Sequence, residues 1–173
     1  VVGAGHVRGM LEHKGMGADR EALSVIPPPS RWLGYLKWII PTVILCAFYI
    51  GWQKHAGRGL YELLLAWTLP NSIAAGVFAA IGAAHPISIL CAVVASPITS
   101  LNPTIGAGMV VGLVEAWLRK PTVEDAQNLN DDILTIRGVY RNRFSRVLLV
   151  AVLATLGSAL GAWIGATLVL TRL

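Results

Sequence analysis

Two short stretches carry residues that could do chemistry. Near the start, Gly3-Ala4-Gly5-His6 sets a histidine behind a glycine turn, read as the end of a strand, the turn and then a short helix. Glycine lets the backbone bend sharply and present an imidazole outward, and imidazole is a common metal ligand. One histidine is not a metal site, because catalytic zinc takes three protein ligands and an open position. His13 in "LEHKG" and His55 in the polar run "QKHAGRGLYE" read as ordinary polar-segment histidines. The second stretch is "AAHPISILCAVVASPITSLNPTIGAG", residues 83–108, where His85, three prolines and Asn102 interrupt sequence as apolar as a membrane span. Two readings of His85, with Pro86 behind it, stay open. It caps the carbonyls that end the preceding helix, or it lines a polar cavity with Thr99, Ser100 and Asn102. Asn102 before Pro103 suits the cap of a helix beginning at Thr104. Glu115 closes the apolar region, and Arg119 lies four residues on, where a helix would pair the two.

The elements that must position these residues are hydrophobic. The chain is 55% hydrophobic and 13% charged, with mean hydropathy +0.64, where soluble domains carry about 25% charged residues. No charge occurs between Glu62 and Glu115, or between Arg146 and Arg172. Both gaps exceed the roughly 20 apolar residues that cross a bilayer. The predicted fold class is therefore all-α and integral to a membrane: three spanning helices, a helical element broken by prolines, and a short soluble N-terminal remnant. Residues 1–26 are the end of a soluble domain, 27–31 a linker stiffened by Pro27–Pro29, and 32–173 the helical membrane domain. The net charge of +5 reads as basic flanks of spans rather than a nucleic-acid surface, since no lysine-rich patch interleaved with aromatics occurs. Cys46 and Cys91 lie in apolar runs and read as small hydrophobes.

The first span is 32–52, with Trp32, Tyr35 and Trp38 at one end and Tyr49 and Trp52 at the other, an aromatic belt at two interfaces. Pro41 either kinks it or marks where its regular part begins. The second runs from about Leu63 to Ala84, interrupted by Pro70 and Asn71, and the last is 147–170. Residues 87–118 would measure roughly 48 Å as one helix, against a hydrocarbon core of about 30 Å. That segment should break near Pro97–Pro103, either crossing once with a broken middle or dipping in and returning. Gly157, Gly161 and Gly165 share one face of the last helix and predict tight packing, within the chain or between two copies as a homo-oligomer. Lys14, Arg20 and Arg31 precede the first span, six basic residues sit in 119–146, and only Lys54 and Arg58 lie in 53–62. The charge rule then puts the N-terminus and 119–146 on the cytoplasmic side, which requires 87–118 to return to the side it left.

The runs "VVGAGHVRGM", "AAHPISILCAVVASPITSLNPTIGAGMVVGLVEAWLRKPTVEDAQNL" and "YRNRFSRVLLVAVLATLGSALG" resemble the C-terminal half of the TraB/PrgY family. That family is associated with shutdown of peptide sex pheromones and is related to the Tiki membrane-tethered metallopeptidases. The resemblance implies a soluble domain with two Gly-x-x-His motifs that hold a divalent metal. Gly3 and His6 match the second motif, and the first, with the family's acidic residues, would lie upstream of Val1. It implies a full-length protein of a prokaryotic cell membrane, with the lipid bilayer and small peptides as partners. That protein would bind or inactivate the peptides, in the hydrolytic case with His6 as one metal ligand. The membrane domain itself would take no cofactor, and this stretch alone would be inactive. Sequestration of peptide without catalysis, and a small-molecule conduit built on the broken helices, are the alternative readings.

Overall fold

A computed structural model describes residues 3–12, 14, 35, 38–55, 58–102 and 104–172. Among these every regular element is helical: α1 (Ala4–Glu12), α2 (Ile39–His55), α3 (Arg58–Ile81), α4 (Pro86–Thr99), α5 (Ala107–Arg119), α6 (Val123–Gln127), α7 (Leu129–Asp132), α8 (Ile136–Arg141) and α9 (Arg143–Leu170). The chain divides into two compact units, Val1–Leu33 and Gly34–Leu173. The linker at 27–31, His13, Trp32, Lys37 and Pro103 lie outside the described residues. In the first unit, α1 begins at Ala4, and the amide of His6 already bonds the Gly3 carbonyl at 2.9 Å. Gly3 precedes the helix and its carbonyl takes the His6 amide, while Gly5 lies within the first turn, so the stretch opens a helix rather than forming a separate turn.

In the second unit α3 and α9 form a central antiparallel pair. Among the described residues two helices have the length and apolarity to cross a membrane, Gly59–Ile81 and Arg143–Leu170, where the sequence predicts three. The apolar part of α2 is Pro41–Gln53, about 20 Å at 1.5 Å per residue, short of a core of about 30 Å. Pro41 sits in the first turn of α2, where its missing N–H costs no helical bond, so it sets the start of the helix. Pro70, read from sequence as an interruption, lies inside the continuous α3.

Residues 86–119 fold as the two helical pieces that their length demanded. The break falls at 100–106 and not at Pro97, which lies in the last turn of α4. The two pieces form a hairpin whose ends come back together: the His85 amide at the start of α4 donates to Glu115 near the end of α5 at 2.9 Å. Each arm is only about 20 Å long, so the tip reaches part-way along the α3–α9 pair. There it approaches the start of α2, which packs on the opposite half through Ile44 and Ala47 against Leu63, Ala66, Trp67 and Val169. The short helices α6 to α8 follow the α5 end, α6 opening on a capping box between Thr122 and Asp125. Two hydrogen bonds from Thr122 hold the Asp125 carboxyl below the usual carboxylate range.

The contact between α3 and α9 runs backbone to backbone. A Cβ on Gly161 would lie 2.5 Å from the Asn71 Cα and 2.7 Å from the Pro70 carbonyl oxygen. Gly157 faces the Ala74 carbonyl, and Gly165 faces Trp67. The glycine face is therefore filled by α3 of the same chain. Gly161→Leu should destabilise the fold by at least roughly 1–3 kcal/mol, the usual cost of overpacking. Leu156→Ala, on an exposed position of α9, should leave stability in detergent nearly unchanged. Thermal melts of both variants in detergent check this, and equal melting of Gly161→Leu and the parent would refute the contact.

Candidate functional site: a hydroxyl-edged cavity at the hairpin tip

Pro97 has no N–H, so the carbonyl of Val93 loses the donor that a helix would supply. The hydroxyl of Ser72 on α3 donates to that carbonyl instead, at 2.7 Å. The carbonyl of Pro97 itself accepts the indole N–H of the buried Trp67 at 3.0 Å, because α4 ends and the Leu101 amide turns to Ile98. Side chains thus satisfy backbone that proline and the helix end leave open, as burial demands.

A chain of polar side chains grows from this point. Ser96 donates to Ser158 at 2.9 Å, the hydroxyls of Ser158 and Ser100 lie 2.9 Å apart, Ser100 donates to Asn71 at 2.8 Å, and Asn71 donates to the Trp67 carbonyl at 2.8 Å. With Ser158 as donor to Ser100, each hydroxyl gives one proton and the series closes without an orphan. Asn71 and Ser96 are fully buried.

Beside this series lies a cavity of about 460 Å³, bounded by Pro41 and Ile44 of α2, Thr99 and Ser100 ending α4, Gly106 and Ala107 opening α5, and the face of α9 from Thr155 to Leu170. Its size falls within the usual range for small-molecule sites. Among the described residues the lining is apolar apart from the hydroxyls of Thr99, Ser100, Thr155 and Ser158, with no titratable side chain. The threonine hydroxyls donate back to carbonyls of their own helices, Thr99 to Ala95 and Thr155 to Ala151, leaving their lone pairs free. Such a surface can bind an apolar body with one polar group.

The open end of the hairpin is closed by charge. Glu115 is fully buried, pairs with Arg119 one turn on, and accepts the His85 amide. Arg119 also donates to the Ala83 carbonyl at 2.7 Å.

Residues 32–173 match the family described as TraB family protein, C-terminal domain. The chain belongs to the TraB family. An uncharacterized protein of the archaeon Methanocaldococcus jannaschii is 26% identical over 173 residues, covering 94% of this chain and 43% of that protein. The chain thus spans less than half the length of this curated relative. No solved structure matches.

In this TraB domain Thr99 and Ser100 lie at the cavity, and His85 and Pro86 do not join them. They stand at the other end of α4, about 20 Å away by helix rise. His85 caps the helix that follows it, its Nδ1 accepting the Ile87 amide at 3.3 Å. The preceding α3 needs no cap from it. Ala83, at φ 54, turns the chain so that the amides of Ala84 and Ala83 bond the carbonyls of Ala79 and Ala80. Asn102 is exposed and accepts the Thr104 amide, but α5 starts at Ala107 rather than Thr104. His6 is exposed on α1, and among the described residues no group of three His, Cys, Asp or Glu comes together to hold a metal.

Sequence reasoning missed Trp67, Asn71, Ser72, Ser96 and Ser158. The available signal was Pro97 itself, which obliges a donor for Val93. Ser72→Ala should therefore cost about 1–3 kcal/mol by orphaning that carbonyl. In a Pro97→Ala background, where residue 97 supplies its own N–H, the same change should be nearly free. A double-mutant cycle on thermal stability reads the coupling, and additive effects would disprove the compensation.

Proposed function

We propose that this chain is the membrane-embedded domain of its TraB family protein. Helices α3 and α9 cross the bilayer, α2 reaches in from one side and the α4–α5 hairpin from the other. One observation carries the reading: along α3, α4 and α9 rows of large apolar side chains face out, while small and polar ones make up much of the interior beside Trp67, Val111 and Val150. Leu69, Ile73, Val77 and Ile81 on α3, Leu90, Val94 and Ile98 on α4, and Val152, Leu156, Leu160 and Ile164 on α9 are all exposed. The shared interior of these helices holds Ala75, Ala79, Ala92 and Ala154 with Asn71, Ser96 and Ser158. Water would drive the opposite arrangement, whereas lipid favours small residues and interhelical hydrogen bonds where helices touch.

For the whole protein, the resemblance of Gly3 to His6 and of the later motifs supports a domain that binds or inactivates peptides at a prokaryotic cell membrane. Metal-dependent hydrolysis there needs ligands beyond His6. A second reading, a passage for a small neutral solute, is favoured by the hairpin tip ending at the cavity. Uptake of glycerol by liposomes carrying the chain, abolished by Ser100→Leu, would support that passage, and uptake equal to that of empty liposomes would dismiss it.

Membrane insertion predicts that the chain stays in the pellet after alkaline carbonate extraction; release into the supernatant would end the proposal. The hairpin predicts opposite sides for Gln53, at the end of α2, and Gln127, beyond α5. Both residues are exposed. Single cysteines at these positions, in a Cys46→Ser, Cys91→Ser background, can be treated on intact cells with an impermeant thiol reagent. The charge rule expects reaction at 53 and protection at 127. The reverse pattern would invert the orientation and keep the hairpin, and equal reaction would sink it.

A further inference from the structure

Arg146, in the first turn of α9, faces the charged end of the hairpin. Glu115 takes Arg119 Nε on Oε1 and the His85 amide on Oε2, and neither of these bonds involves Arg146. Among the described residues, the charges that bear on Arg146 are Arg119 and Glu115, two guanidiniums against one carboxylate. The Nε of Arg146 is buried with no hydrogen-bond partner among the described residues, a state that is costly for a charged donor. The neighbouring Arg143 differs, since it lies within the field of Asp125. The first turn of α9 has no acidic residue, although a helix start disfavours cations. The start of α4, with Pro86 at its first position, opens at the same end and adds further positive character. Arg119 is 22% exposed and Arg146 half-buried, so both can be reached from outside.

We propose that Arg146 and Arg119 form a binding site for a phosphate group, carried by a lipid headgroup or free in solution. Guanidinium forks match phosphate oxygens bidentately, and a phosphate can take donors from both arginines at once. Its negative charge would balance the surplus cation and satisfy the buried Nε. The inference does not rest on membrane insertion, which the extraction experiment decides separately.

The test is a thermal-shift titration of the full chain in neutral detergent. Dihexanoyl phosphatidylglycerol and inorganic phosphate are the probes, and dihexanoylglycerol, which lacks phosphate, is the control. The parent should show a saturable rise in Tm with phosphatidylglycerol, with inorganic phosphate, or with both. A rise with the lipid alone assigns the headgroup, and a rise with inorganic phosphate assigns the free ion. Arg146→Gln should weaken the apparent affinity about tenfold or more, the loss of one charge-assisted contact. Arg137→Gln, which removes an exposed charge elsewhere in 119–146, should not. No rise in the parent with either probe, a rise matched by dihexanoylglycerol, or an equal loss in Arg137→Gln would overturn the site. If Arg146→Gln does not fold, Arg146→Lys keeps the charge and loses the fork; it must still weaken binding, and full retention would overturn the guanidinium assignment.

Discussion

The rest of the structure depends on how closely α3 and α9 approach. With no side chain on Gly161, the backbone of α9 lies against the backbone of α3 at Pro70 and Asn71. That approach brings Ser158 within reach of the Ser96 and Ser100 hydroxyls, and Asn71 within reach of Ser100. Longer side chains at the seam would move the helices apart by more than a hydrogen bond can stretch. The hairpin arm α5 repeats the device on the other side of α9, where a Cβ on Gly108 would fall 2.0 Å from the Ala151 carbonyl oxygen.

The interior is built from two kinds of contact, and each compensates for a weakness of the other. Alanine and glycine bring backbones together but bury little area, so packing alone holds the helices modestly. Serine and asparagine add directional bonds in a medium where an unmade bond is expensive. The prolines that break the helical ladder create the acceptors those side chains fill. Pro97 is therefore a point of attachment between α4 and α3, through Ser72 and Trp67, more than a point of weakness.

Much of this architecture was legible in sequence, and the reasons differ from part to part. The length of 87–118 against bilayer thickness required two helical pieces, and the i, i+4 spacing of Glu115 and Arg119 announced their pairing. The glycine spacing identified the packing face but not its partner, since spacing cannot tell one chain from two. Pro97 reads as a break because a local rule cannot see that Ser72 of another helix supplies the missing donor, and Pro70 reads as one although α3 runs through it. The same blindness hid Ser72, Ser96 and Ser158, whose roles exist only across helices. His85 and Thr99 were grouped by their nearness to prolines, yet the length of α4 separates them. His85 caps forward because the turn at Ala83 had already satisfied the carbonyls behind it.

The hairpin's geometry also bears on the order in which the chain can assemble. Its start at His85 and its end at Arg119 lie at one end of the bundle, so no charged residue has to be carried past α3 to seat it. Its polar and backbone contacts, however, draw on Ser158 and Ala151 of α9, which leave the ribosome after the hairpin does. Until α9 arrives, Ser96 and the bare face of Gly108 lack their counterparts. A nascent chain holds this hairpin unfinished until α9 follows, and α9 is the helix that completes it.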